Sequence, residues 1–201
     1  MNHRVSAQVS QCYGELDDEI ATFQAATGLH CPPGCGQCCQ HPEVEATPLE
    51  MLPLALELSR QGEAMAWHAR LTAIAGLSPC VLYQPDQHIP GNGRCQMYEW
   101  RPTVCRLFGF AAVKDKFGQS HLAVCARHKQ SCPEAVAHAT AAIAQQVPIP
   151  HFADWQMAIA QIDPAWGYER LPINDALKVA IERVSLGLAY GVPPADRQPD
   201  P

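Results

Sequence analysis

A chain of 201 residues with 47% hydrophobic side chains can bury a core of its own, which excludes a disordered polymer and a miniprotein dependent on covalent staples. Lys plus Arg number 14 against 20 for Asp plus Glu, and the net charge of −6 argues against general nucleic-acid binding, because phosphate contacts need concentrated positive charge. Eighteen prolines point to a fold with many loops.

Residues 1–19 carry no apolar run of the signal-peptide kind, and no stretch has the length of a membrane span, so the expectation is a cytoplasmic protein without membrane insertion. Leu16, Ile20 and Phe23 recur at helical spacing and predict a helix over about 14–27, stopped near Gly28. The segment Cys31–Cys39, CPPGCGQCC, then places four cysteines in nine residues with the spacing C-x3-C-x2-C-C. Its prolines and glycines keep it out of regular structure, as a loop that must turn several thiolates toward one point requires.

Thr47-Pro48-Leu49-Glu50 reads as a helix start, with Thr47 as cap, Pro48 at the first helical position and Glu50 reaching back. Apolar positions from Leu49 to Ile74 predict one broken helix or two over 48–75, with Gly62 as the weak point. Glu45 and Glu50 could be read as catalytic carboxylates, but acids in a first helical turn are far commoner. Residues 84–93, QPDQHIPGNG, read as a loop with turn signals. Arg101 before Pro102 is expected to be extended. A small hairpin is predicted between the apolar run ending at Val113 and Ser120–Val124. Ser131 is the expected cap of a helix running to about Gln146, and a further helical pattern covers Phe152 to Ile162. The last helix spans about 173–190, with Gly191 as its C-cap and a frayed tail over 192–201.

The cysteines carry the chemistry. Beyond the dense segment stand Cys80, Cys95, Cys105, Cys125 and Cys132, while Cys12 reads as a lone thiol. Ten is an even number, but adjacent Cys38 and Cys39 make awkward disulfide geometry and a reducing compartment disfavours disulfides. Thiolates are soft ligands suited to zinc, iron–sulfur clusters and Cu(I). Spacings this short recur in cubane clusters, whereas simple zinc sites more often use two separate C-x2-C pairs. The candidate metal ligands are Cys31, Cys35, Cys38, Cys39, Cys80, Cys95, Cys105, Cys125 and Cys132, more than one tetrahedral site uses. One centre with spare thiols and two centres both remain open.

Seven of the fourteen basic side chains fall within residues 94–129. Arg101 and Arg106 are candidates to donate hydrogen bonds or charge to sulfur, Arg106 the stronger of the two. His30, His41, His121 and His128 flank cysteines and could complete a zinc site. Trp67, Trp100, Trp155 and Trp166 read as core or cover. Asp86, His88 and Tyr98 are the acids or bases that an enzyme at this site would draw on.

CPPGCGQCC followed by GRCQMYEWRPTVCR resembles the YkgJ-type cysteine-cluster proteins, known by the CxxCxxCC signature and associated with zinc or iron chelation. The resemblance covers about residues 28–135. It places ligand candidates at Cys31, Cys35, Cys38 and Cys39, then at Cys95 and Cys105, with Arg101, Pro102 and Arg106 in an RPxxCR element, and more loosely at Cys80, Cys125 and Cys132. It implies metal binding without a reaction. A related cysteine arrangement in flagellin lysine N-methylase-like proteins hints at iron–sulfur chemistry. No glycine-rich S-adenosylmethionine loop accompanies it here, and Gln37 stands where radical-S-adenosylmethionine enzymes carry an aromatic residue.

The expectation is therefore a mainly α single domain with an irregular cysteine-rich metal-binding core and room for one small β-hairpin. Its parts are a helical lead-in at 1–27, the cysteine-cluster region at 28–135, helices packed on it at 136–191 and a tail at 192–201. The expected cofactor is an iron–sulfur cluster, 4Fe–4S first, with zinc as the alternative. The expected role is metal handling, redox or docking to a protein partner. A structural zinc module for protein interaction and a metal-dependent enzyme are the alternatives.

Overall fold

Residues 2–89 and 92–189 are described by the computed structural model. Helix α1, Asn2–Thr27, is longer than the spacing of Leu16, Ile20 and Phe23 alone predicts. The same stripe continues backward through Tyr13 and Val9, at steps of three and four residues, and all five side chains are buried. The two ends of α1 serve different cores. Val9 and Tyr13 join a core with Leu52, Leu54, Trp67, Leu177 and Ile181, whereas Leu16, Ile20 and Phe23 join a second one with Leu29, Leu107, Phe110, Ala139 and Ile143. Burying a leucine or phenylalanine of this kind contributes about 1.5–3 kcal/mol, so α1 is the beam on which both halves rest.

The capping box at Thr47 forms as expected: Thr47 N–H donates to Glu50 Oε2 at 2.7 Å, and Glu50 N–H donates to Thr47 Oγ1 at 3.2 Å. Glu50 is buried in this role and is not placed for catalysis. The box closes a turn rather than the first turn of the helix, and α2 runs Leu52–Arg60 with a proline in its opening turn, Pro53 rather than Pro48. Gly62, with φ 76°, breaks the path as expected, and α3 follows at Ala64–Thr72. A left-handed residue there is open to glycine at little cost.

Among the described residues, three two-stranded pairs stand where one hairpin was expected. Strand β1, Glu45–Ala46, pairs antiparallel with β6, Leu171–Pro172; β2, Tyr83–Pro85, pairs with β3, Gly93–Cys95; and β4, Ala112–Lys114, pairs with β5, Ser120–Leu122. The last is the predicted hairpin. The second converts the ends of the expected 84–93 loop into strands, because Tyr83 opposite Cys95 and Pro85 opposite Gly93 satisfy each other's backbone. Between these pairs α4, Thr103–Leu107, follows an extended Arg101 (ψ 139°), as the proline after it dictates.

Ser131 is not a helix cap. It ends a short helix α5, Ala126–Ser131, where its hydroxyl donates to Arg127 O at 2.7 Å. The cap is Cys125, whose Sγ accepts from Arg127 N–H at 3.3 Å, and starting the helix there leaves Cys132 to introduce α6, Pro133–Ala144. Helices α7, Phe152–Ala160, and α8, Pro164–Gly167, lead to α9, Ile173–Ala189, which packs on α2 and α3. The expected Gly191 cap and the tail lie outside the described residues. No helix among the described residues is long and apolar enough to cross a membrane.

Candidate metal centre

The cysteine segment is shaped by its own backbone and then clamped to the β2–β3 hairpin. Cys35 N–H donates to Pro32 O at 3.1 Å, and residues Gln37–Gln40 form a 3-10 turn that carries Cys38 and Cys39. Gly93 N–H donates to Gly34 O at 2.9 Å, and Cys80 N–H donates to Cys39 O at 3.1 Å. Gly36 and Gly93 meet beneath the Tyr83 ring. A Cβ on either would stand 2.4 Å from Tyr83 Cε2, and one on Gly93 would stand 2.6 Å from Gln84 O. Tyr83 locks the crossing by accepting from Gln40 Nε2 at 2.7 Å and donating to Asn92 O at 3.0 Å.

This clamp gathers Cys31, Cys35, Cys38, Cys39, Cys80, Cys95, Cys105 and Cys125 around one cavity of about 290 Å³. Four come from the loop, Cys80 from the segment after α3, Cys95 from β3, Cys105 from α4 and Cys125 from the cap of α5. Cys132, also a candidate, is not among the lining residues and packs against the second core. Cys12 lies against the first core. All ten cysteines are free thiols, so no pair is joined as a disulfide. Among the described residues no three Cys, His, Asp or Glu side chains already stand as a set around a single ion; the thiols spread around a void.

The remaining lining is largely apolar, including Val44, Met51, Leu82, Met97, Phe108 and Phe110, and among the described residues it contains no Asp, Glu or His. Of the four flanking histidines, His121 bonds Asp115 at 3.0 Å, His41 lies near Phe108 and His30 is exposed. His128 is fully buried against Phe110, at 5.2 Å between ring centroids, and beneath Gly109. Its ring nitrogens lack a well-formed hydrogen bond among the described residues; the nearby Gly109 backbone only partly offsets the burial that holds its pKa below the usual imidazole value. Asp86 spends its carboxylate on a turn, accepting from His88 N–H at 2.7 Å and Ile89 N–H at 3.1 Å. Trp67 and Trp155 are tied to Glu63 and Glu19, away from the cavity.

Crowding sets the protonation of the thiols. Burial, reinforced by neighbouring cysteines, pushes Cys31 and Cys80 up to about 12, and Cys105 well above its ordinary value. Cys39 is raised as well, because it donates to Cys38 and Cys95, and those two are lowered by accepting its hydrogen bond. Arg101 is the cation that favours the thiolate at Cys31, Cys38, Cys95 and Cys105. It lines the cavity, with its guanidinium 3.5 Å above the Tyr98 ring and Nε donating to Tyr98 O at 2.9 Å. Arg106 has a different task. It is buried, donates to Arg101 O, Glu99 O and Asp17, and stacks on Tyr13, so it binds α4 to α1. Sequence reasoning favoured Arg106 as the partner of sulfur; nothing local in RPxxCR distinguishes the arginine facing the thiols from the one that holds the helix. It also missed Tyr83, for which the Gly-Asn-Gly turn opposite was the available signal.

The family model CxxCxxCC, described as "Putative zinc- or iron-chelating domain", matches residues 30–133. That span contains every cavity cysteine. No curated protein and no solved structure was found to match.

Proposed function

The chain belongs to the CxxCxxCC family, and from its cavity we propose that it is a metal-binding protein whose thiols hold an iron–sulfur cluster of the 4Fe–4S kind, serving metal handling, redox or docking to a protein partner in the cytoplasm. The observation that carries this reading is the sulfur-rich donor set: eight cysteines, with no carboxylate or imidazole among the described residues, line a void of about 290 Å³. A soft donor set of that kind fits iron–sulfur clusters and zinc, and a space with thiols on several sides suits a polynuclear core. The ligands would be drawn from those eight residues. When bound, the cluster would supply one-electron chemistry.

The protein's own contribution is to prepare the donors. Burial favours the protonated thiol at Cys31, Cys80 and Cys105 in the absence of metal, so loading releases protons, and affinity rises with pH. Arg101 offsets the negative charge that several thiolates accumulate. Met51, Phe108 and Phe110 limit water around the sulfurs. Tyr98, 62% exposed and stacked on Arg101, offers an aromatic contact point beside the cavity for a docking partner.

Anaerobic purification followed by metal and acid-labile sulfide analysis tests the reading. A coloured protein with iron and sulfide in matching amounts, bleached by air, is expected. A colourless protein with stoichiometric zinc would overturn the iron–sulfur choice in favour of a structural zinc module, and a protein that takes up no metal would overturn the whole reading.

A further inference from the structure

We propose that the mouth of the cavity is a docking surface for an acidic partner protein, whose clustered carboxylates are received by Arg94 and Arg127, with Arg101 and Tyr98 completing the contact. The proposal rests on the docking role given to the cavity above and supplies the partner's chemistry. Charge is unevenly distributed along the chain. Residues 94–129 carry seven of the fourteen basic side chains and two of the twenty acidic ones, a local balance of +5 in a chain of net charge −6.

Backbone geometry brings two of the arginines together. Arg127 Nη2 donates to Asn92 Oδ1 at 3.4 Å, and Arg94 stands two positions beyond Asn92. Asn92 forms an isolated bridge with Cys35, and Arg94 lies in β3, so the run is extended and its alternate side chains share a face. Gly93, between them, is turned the other way, toward the Tyr83 ring. Cys35 and Arg94 both line the cavity, which places this pair of guanidiniums at its edge. Arg94 is exposed and Arg127 is half-buried.

These cations are not neutralised by the protein. Arg94 Nε donates to Gln84 Oε1 at 3.0 Å and Arg127 to the Asn92 amide, both neutral groups, and neither arginine forms an ion pair among the described residues. Arg101 likewise spends its donors on the carbonyls of Tyr98 and Cys105. Arg106 is the contrast, buried and paired with Asp17. The two acids of the stretch do not offset the rim: Asp115 is bonded to His121 at 3.0 Å, and Glu99 does not line the cavity. Arginine and tyrosine are the side chains that interfaces enrich, and a guanidinium receives a carboxylate through two parallel hydrogen bonds. The negative charge of the whole chain repels a long polyanion such as a nucleic acid, which needs a broad basic surface, whereas a short carboxylate cluster needs the rim alone.

Fluorescence anisotropy of a labelled hexaglutamate peptide, titrated anaerobically with the full chain before and after metal loading, gives the test, with hexaglutamine as the neutral control. The rim predicts saturable binding of hexaglutamate alone, weakened several-fold between about 50 and 300 mM salt; repulsion from the chain as a whole would give the opposite salt dependence. Arg94→Glu and Arg127→Glu should each lower the affinity about fivefold with metal content unchanged. Arg60→Glu, the same reversal on α2 away from the cavity, should leave it unaltered. No binding of hexaglutamate, or equal affinity in the rim variants and Arg60→Glu, would overturn the proposal. So would tighter binding of a single-stranded hexanucleotide, displacement of the peptide by inorganic phosphate at equal concentration, or self-association lost in the rim variants, which would give the rim to nucleic acid, small anions or a second copy. Absence of metal uptake with hexaglutamate binding intact would remove the metal-centre reading and leave the docking surface standing. Salt dependence in the unmodified protein decides the matter even where circular dichroism shows that a variant does not fold.

Discussion

Arg101 and Arg106 show how two identical side chains in one short motif diverge. Arg101 faces the thiols and stacks on Tyr98, while Arg106 is 5% exposed and satisfies the carbonyls of Glu99 and Arg101 together with Asp17. Arg101→Gln should leave the thermal midpoint nearly unchanged but lower the reduction potential of a bound cluster, because loss of a nearby positive charge disfavours electron uptake. Spectroelectrochemical titration checks this; an unaltered potential would count against the role. Arg106→Ala should instead destabilise the fold by about 2–4 kcal/mol in denaturant titration, since it strips buried acceptors of their donor and α4 of its tie to α1. At the same scale, burial depresses the pKa of His128. The unfolded chain binds that proton more readily, so the stability contributed by the neutral ring is complete above about pH 6.5, the unfolded value, and is lost as pH falls below it toward the folded value. The metal-free protein should lose stability faster on acidification from pH 7 to pH 5 than His128→Leu does; parallel slopes would contradict this account.

Among the elements, the crossing of the cysteine loop over the β2–β3 hairpin is the most sensitive point. Gly93→Ala would drive a methyl group into the Tyr83 ring, held by its hydrogen bonds to Gln40 and Asn92, and into the Gln84 backbone carbonyl of the opposing strand. The expected result is loss of metal with little change in far-ultraviolet circular dichroism, because the helices are packed elsewhere; full metal content would show that the crossing is not needed. This is also where sequence reading reached its limit. The helices were legible because their signals are local: the stripe of Leu16, Ile20 and Phe23, the capping box at Thr47, and the break at Gly62. The hairpin at 83–95 was not, because its strands are three residues each and its turn signals also describe a plain loop. Ser131 misled because it satisfies a cap pattern, while the sulfur of Cys125, a weak acceptor with no such pattern, starts the preceding helix.

Across the whole molecule, the cysteines join two cores that otherwise share the long helix α1. The loop, the segment after α3, the hairpin, α4 and the cap of α5 each deliver thiols to one cavity, although Cys31 and Cys125 stand ninety-four positions apart in sequence. Spacing within the dense segment showed that soft-metal chemistry was available, but only tertiary structure could show which distant cysteines come to it. Eight of the nine candidates do, and Cys132 packs elsewhere. A cavity assembled from five separate segments has little of its own local stability, so a bound metal would act as a clasp between the halves. The most direct measurement is metal content per chain after anaerobic purification, for the unmodified protein beside Cys105→Ala and Cys132→Ala. The cavity account predicts metal in the unmodified protein, retained in Cys132→Ala and reduced in Cys105→Ala. Full retention in Cys105→Ala, or a loss confined to Cys132→Ala, would contradict it.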